Sequence, residues 1–210
     1  MKDFTLSGIA LSKEFSNQRN IFSNIEINLQ NGQILFITGK NGSGKTTFLK
    51  ILAGIISPTT GKVLFKLDSN EISYERFYMH YGYVSPYLIL YEEFTPLEHI
   101  NIFNMLRGTK HSKEEITSAL ETVQLFKRRD DPIKTFSSGM KQRMKYLLAT
   151  LSEGEILFLD EPYTNLDDEG IQIVRNIIEK HLKNMGAIVI ATNDDREKSF
   201  ASEKQIFIAL

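Results

Sequence analysis

None of the 210 residues is a cysteine. Disulfides, zinc fingers and thiol catalysis are therefore excluded, and the composition fits a reducing compartment. No charge sign dominates either, since 25 Lys and Arg stand against 26 Asp and Glu for a net charge of −1. Without a basic block there is no electrostatic footprint of a general nucleic-acid binder, so no nucleic-acid partner is expected. Long apolar runs are missing too. Those at 156–159 and 188–191 fall far short of the roughly 20 residues that span a bilayer, so any membrane span should come from another chain. The opening MKDFTLSGIALSKEF has neither the unbroken apolar core nor the cleavage site of a signal peptide. No internal repeat or low-complexity linker interrupts a length that suits one domain, 1–210, with a subdomain inserted.

What the chain does contain is short apolar runs bounded by turn residues: QILFITG (33–39), KVLFKL (62–67), EILFLD (155–160), AIVIAT (187–192) and QIFIAL (205–210). Continuous apolarity predicts strands buried on both faces, as in a parallel sheet covered by helices. Segments 4–15 and 22–30 alternate more, which suits an antiparallel sheet at one edge. Helices fall between. Thr95, Pro96 and Glu98 combine an N-cap, a first-turn proline and a capping-box acid, and Gly108 ends the run. Ser112 with Glu115 repeats the spacing ahead of Ile116, Leu120 and Val123. Met140, Met144, Leu147 and Leu151 mark a third helix before Gly154. Ile171, Val174, Ile178 and Leu182 mark a fourth between Asp167 and Gly186. Residues 88–136 read as a mostly helical insertion in an α/β core.

Residues 39–47, GKNGSGKTT, match G-x-x-x-x-G-K-[ST] between a strand and a helical run. Gly39, Gly42 and Gly44 let successive N–H groups wrap a polyphosphate, and the helix adds its positive end. Lys45 would neutralise β- and γ-phosphate charge, and the Thr46 hydroxyl would ligate Mg²⁺. Asn41, Ser43 and Thr47 complete the expected nucleotide-binding loop. A glycine-rich connecting turn is the plain alternative, which the flanking context disfavours. ILFLDEP (156–162) then presents Asp160 and Glu161 at the C-terminal end of a buried strand, where ligands of open α/β sheets sit. Asp160 is expected to hold Mg²⁺, and Glu161 to orient or deprotonate the water that attacks the γ-phosphate. The strand AIVIAT ends similarly, in Asn193, Asp194 and Asp195.

Between these sites lies FSSGMKQR (136–143), at the start of the Met144/Leu147/Leu151 helix. With GKNGSGKTT, ILFLDEP and TNLD (164–167), it makes the chain closely resemble the ATP-binding-cassette ATPases over nearly its whole length. The resemblance implies a P-loop core with a mostly parallel sheet, an N-terminal antiparallel β subdomain and the helical insertion. It also implies ATP and Mg²⁺ as cofactors, a second cassette as partner and a transmembrane permease subunit. The location implied is cytoplasmic, peripheral on the inner face of the membrane. FSSGMKQR resembles the family's signature, so Ser137 and the Gly139 amide would contact the partner's nucleotide. Met140 and Ser138 depart from the usual glutamine and glycine. Phe15 matches the aromatic residue that stacks on adenine, with core packing as the alternative. TNLD matches the loop through which the two sites communicate.

Two further departures bear on mechanism. In GYVSPYLILYEEFT (82–95), Pro86 stands where relatives place a glutamine that reaches Mg²⁺ and water. Proline has no side-chain acceptor and a fixed φ. Asn193 stands where relatives carry a γ-phosphate-binding histidine; an amide can donate but never carries charge. These raise the alternative of a degenerate cassette that binds ATP and dimerises but hydrolyses poorly. A soluble cassette ATPase acting on DNA or ribosomes is disfavoured for want of coiled-coil or zinc-bearing insertions. Tyr87, Leu88, Tyr91 and Phe94, in 83–107, are expected either to receive a short helix of a membrane subunit or to serve as core.

Overall fold

The computed structural model describes residues 2–15, 19–198, 200 and 205–210. The alternating N-terminal segments form β1 (Phe4–Phe15) and β2 (Arg19–Gln30), paired antiparallel as their patterning predicts. The other side of β1 pairs with β4 (Thr60–Leu67), and β5 (Asn70–Ile72) extends that sheet. KVLFKL thus lies in the antiparallel sheet, not in the parallel one that its apolarity predicts. Only Phe65 and Leu67 of that run are buried, while Lys62 and Lys66 are exposed. The strand buries one face only, and three consecutive apolar residues are too short a run to distinguish that from two-faced burial.

The second sheet is parallel, in the order β6-β7-β8-β3-β9. Its strands are β3 (Ile34–Thr38), β6 (Tyr81–Val84), β7 (Ile156–Asp160), β8 (Ala187–Ala191) and β9 (Gln205–Ala209). Parallel register sets Phe36 beside Ile190, and Phe158 beside Val189. Successive side chains of a strand point to opposite faces, so each central strand feeds two cores. Ile34, Phe36, Leu157, Leu159, Ile188 and Ile190 join one cluster; Leu35, Ile37, Ile156, Phe158 and Val189 join the other. That double burial is why ILFIT, ILFLD and AIVIA are apolar without interruption. QIFIAL departs from it. As the edge strand it is only half covered, and Phe207 is 56% exposed while its ring stacks on Phe36 at 5.0 Å.

One core begins with α1 (Lys45–Leu52) and α2 (Tyr74–Phe77), packed with the antiparallel sheet. The other holds α3 (Pro96–Arg107), α4 (Lys113–Thr122), α5 (Ser138–Thr150) and α6 (Asp168–Lys183). Their starts follow the capping chemistry. Glu98 N–H donates to Thr95 Oγ1 at 3.2 Å and Thr95 N–H to Glu98 Oε2 at 2.8 Å. Ser112 and Glu115 repeat the reciprocal pair, and Gly170 N–H donates to Asp167 Oδ1 at 2.8 Å. Gly108 closes α3 with φ 67°. β6 was not anticipated, because YGYV is short and mixed. Its Gly82 allows a close approach to α5: a Cβ there would lie 2.5 Å from Ala149 O.

Candidate active site

Four buried residues of β3 anchor the strand that runs into the loop 39–44. Two glycines cannot be replaced there. Gly39 has φ 147° and Gly44 φ 107°; added Cβ atoms would lie 2.5 Å from Leu210 O and 2.2 Å from Ile21 Cγ2. The loop then opens directly into α1, whose first residue is Lys45. Lys45 is buried, and its ammonium donates to Gly39 O at 3.0 Å and Lys40 O at 3.1 Å. Ser43 Oγ, also inside the loop, is buried with no hydrogen-bond partner among the described residues. An unsatisfied hydroxyl in a glycine-rich loop that opens into a helix suits an anionic ligand.

β7 brings its acids to the same place. Asp160 is 1% exposed and accepts from Thr46 Oγ1 at 2.9 and 3.0 Å on its two oxygens. Ser85 Oγ donates to Asp160 Oδ2 at 3.3 Å. Burial raises the Asp160 carboxyl above its ordinary value, against the pull of the Thr46 and Ser85 hydroxyls. Glu161 turns outward in a left-handed conformation, φ 45°, costly for a residue with a side chain and common at functional sites. Its N–H is held by Ala191 O at 2.9 Å, so β8 fixes that turn. Asn193, exposed beyond β8, donates through Nδ2 to Asn41 Oδ1 of the glycine loop. Strand end and loop are joined directly.

Phe15, Asn41, Lys45, Thr46, Tyr87 and Glu161 line one cleft of about 670 Å³, to which Gly42, Gly44 and Thr47 also contribute. Phe15 is 47% exposed there, so it is not a core phenylalanine. Ser137 and Gly139 stand outside that lining, at the start of α5. Ser137 Oγ accepts from Met140 N–H at 3.2 Å, and Gly139 lies against the TNLD loop, where a Cβ would meet Asn165 O at 3.2 Å. Ser85, Lys145 and Glu197 were missed from sequence. Lys145, buried on α5, donates to Ser85 O at 3.0 Å and Pro86 O at 2.9 Å. Glu197 Oε1 accepts Tyr163 N–H at 2.8 Å, and burial pushes its carboxyl up to about 7. Pro86 indeed offers no side-chain acceptor, but the serine before it does.

A glycine loop feeding a helix, a hydroxyl paired with a buried aspartate and a projecting glutamate together suit phosphoanhydride chemistry. The ABC transporter family model matches residues 22–164. The chain is a single-cassette ATPase of the ABC transporter family. The cytochrome c biogenesis ATP-binding export protein of Methylococcus capsulatus is 34% identical, over 83% of this chain and 84% of its own. That of Vibrio vulnificus is 28% identical, over 85% of this chain and 87% of its own. A dimeric bacterial ABC transporter cassette superposes with TM-score 0.80 at 21% identity, covering 97% of this chain and 94% of that one. The family membership bears out the resemblance carried by the motifs.

Proposed function

We propose that this chain is the ATP-hydrolysing subunit of a membrane ABC transporter, working by ATP-driven closure of two cassettes. The observation that carries the reading is that Thr46 and Glu161 line the cleft that also holds Lys45 and Phe15, with Asp160 buried behind Thr46 and accepting its hydroxyl. Phe15 would stack on the base, and the amides of 39–47 with Lys45 would hold the phosphates. Glu161 would take a proton from the attacking water as its oxygen bonds the γ-phosphorus and the bridge to the β-phosphate breaks. The donors at Thr46 and Asp160 are hard oxygens, which fit Mg²⁺; when bound, that ion would offset charge on the phosphates. Ser137 and the Gly139 amide would meet the partner cassette's nucleotide.

A degenerate, regulatory cassette is the second reading, favoured by Pro86 and Asn193. It weighs less, because the groups with the largest expected effects (Lys45, Thr46, Asp160 and Glu161) are all present and brought together. Among the described residues no helix is long and apolar enough to cross a membrane. The transport partner would therefore supply the span and hold this chain at the membrane's inner face. Its docking surface would be the arc after β6, where Tyr87, Ile89 and Tyr91 are 77%, 88% and 71% exposed. Leu90, between them, is buried. Three apolar side chains directed at solvent suit a short helix from another chain.

Turnover of ATP by the purified chain, compared with that of Glu161→Gln, tests the reading. The substitution should lower hydrolysis by roughly two orders of magnitude or more and accumulate an ATP-bound dimer in size-exclusion chromatography. Unchanged turnover would show that Glu161 is not the base.

A further inference from the structure

Ser85 lies in the interior, 2% exposed, yet its hydroxyl is aimed at the acid of β7. Ser85 Oγ is 3.3 Å from Asp160 Oδ2, an oxygen that Thr46 Oγ1 also reaches at 3.0 Å. Two hydroxyls from separate elements therefore converge on one carboxylate. Ser85 Oγ also accepts Tyr87 N–H at 3.3 Å. A hydroxyl has one proton and two lone pairs, so these two bonds leave one lone pair of Ser85, close to which lies the Tyr83 hydroxyl that also interacts with it. The backbone that carries it is held in place from α5, where the Lys145 ammonium grips the Ser85 and Pro86 carbonyls at 3.0 and 2.9 Å. Burial lowers the Lys145 pKa, and its bonds to two carbonyls compensate part of that desolvation.

We propose that Ser85 is a metal-site residue, its hydroxyl completing with Thr46 and Asp160 the oxygen set that receives Mg²⁺ and its waters. It does so in place of the side chain that Pro86 cannot supply. Mg²⁺ dehydrates reluctantly and keeps several waters, so an extra hydroxyl beside Asp160 has a water to hold. The polar partners that orient a metal's shell commonly matter about as much as some of its ligands. Lys145 fixes where that hydroxyl sits. The proposal rests on the nucleotide-site reading above.

The test is metal binding, not turnover. Mn²⁺ is titrated into the full chain with a non-hydrolysable ATP analogue, bound Mn²⁺ is read by electron paramagnetic resonance, and analogue affinity is measured separately in EDTA. Ser85→Ala should raise the Mn²⁺ concentration required by roughly 10-fold, while Ser85→Thr, which keeps the hydroxyl, should stay near wild type. Affinity in EDTA should be unchanged in both. A wild-type metal requirement in Ser85→Ala would overturn the proposal. So would an equal loss of affinity in EDTA, which would make Ser85 a packing residue. Asp160→Asn separates the two levels of inference: if it too leaves the metal requirement unchanged, the nucleotide-site reading fails with the proposal. If only Ser85→Ala does, the proposal fails alone.

Discussion

The glycine loop at β3 and the serine-led start of α5 offer similar chemistry: hydroxyls, glycine amides and a helix N-terminus. Their surroundings differ. Lys45 and Thr46 bond to groups of the same chain, and Asp160 is buried behind them. Ser137 and Ser138 are exposed, and among the described residues Ser137 bonds only to the helix it caps. One region is preorganised by its own fold, whereas the other is finished as a helix cap and presents its remaining polar groups outward. Interactions made within a rigid site cost little reorganisation, but an outward-facing half gains its function from what docks on it. Substitutions in the first region should therefore act in the isolated chain, and those in the second only in an assembly.

Lys45→Ala and Ser137→Ala test that division most directly. Losing a charged hydrogen-bonding group at a phosphate should weaken ATP binding by the chain alone roughly 10- to 100-fold, read by calorimetry. Ser137→Ala should leave that affinity within about twofold of wild type while reducing ATP-driven dimerisation, and cost about 1 kcal/mol of stability through the lost cap. Equal weakening of monomer binding by both would collapse the distinction.

Glu197 sits between the regions. Its bond to Tyr163 N–H holds the segment running from Glu161 to Asn165, and Asn165 O lies against Gly139. Burial raises its carboxyl from 4.5 to about 7, with the Asp194 and Glu161 carboxylates adding to the rise and Thr192 and the Tyr163 amide opposing it. The folded state therefore binds the proton more tightly than the unfolded one. That stabilisation is complete below about pH 4.5 and is lost as pH rises towards and through 7. Glu197→Gln, which keeps an acceptor for Tyr163, should remove this dependence. Relative to wild type it should gain on the order of 2 kcal/mol between pH 5 and pH 8 in denaturant unfolding. A constant difference across that range would mean that Glu197 does not titrate there.

The same division explains what could be read from the sequence. The glycine loop, the Asp160–Glu161 pair and the helix caps are each contiguous in the sequence, the caps with donor and acceptor three residues apart, and each stands at the strand or helix end where its motif predicts it. Ser85 meets Asp160 across 75 residues and Lys145 meets Ser85 across 60. Nothing local marks such a contact; it exists only because β6 pairs with β7 and Gly82 lets α5 approach. KVLFKL was assigned to the wrong sheet for a related reason, since a short apolar run does not say what will cover its second face. The ambiguity over 87–94 had the opposite resolution. Tyr87 and Tyr91 are exposed and Leu90 is buried, while Phe94 is half-buried with its ring 5.7 Å from that of Tyr91.

Within that arc the Tyr91 side chain is 71% exposed, so Tyr91→Ala should change stability by no more than about 0.5 kcal/mol. Reconstituted with its membrane subunit, the variant should keep ATP turnover and lose coupling to transport. A larger stability loss in thermal unfolding would return Tyr91 to the core.

The smallest expected effect concerns Asn193, where the preorganised region borders the open cleft. Asn193 bonds to Asn41 in the glycine loop, so its side chain is tied to a residue that lines the cleft. An amide there donates at every pH. None of the four histidines lines the cleft. Beyond the Glu197 titration, which an Asn193 variant shares, the wild type should therefore show no histidine-type loss of activity between about pH 6 and 7. Asn193→His would introduce an imidazole with an ordinary value near 6.5, and its charged and neutral forms would differ at a polyanion. Hydrolysis by the variant should change by a few-fold and acquire a pH dependence in that window, read from turnover between pH 5.5 and 8.5. If neither rate nor profile moves, the Asn193–Asn41 bond only ties a strand end to a loop, and the phosphates are held from the glycine-loop side alone.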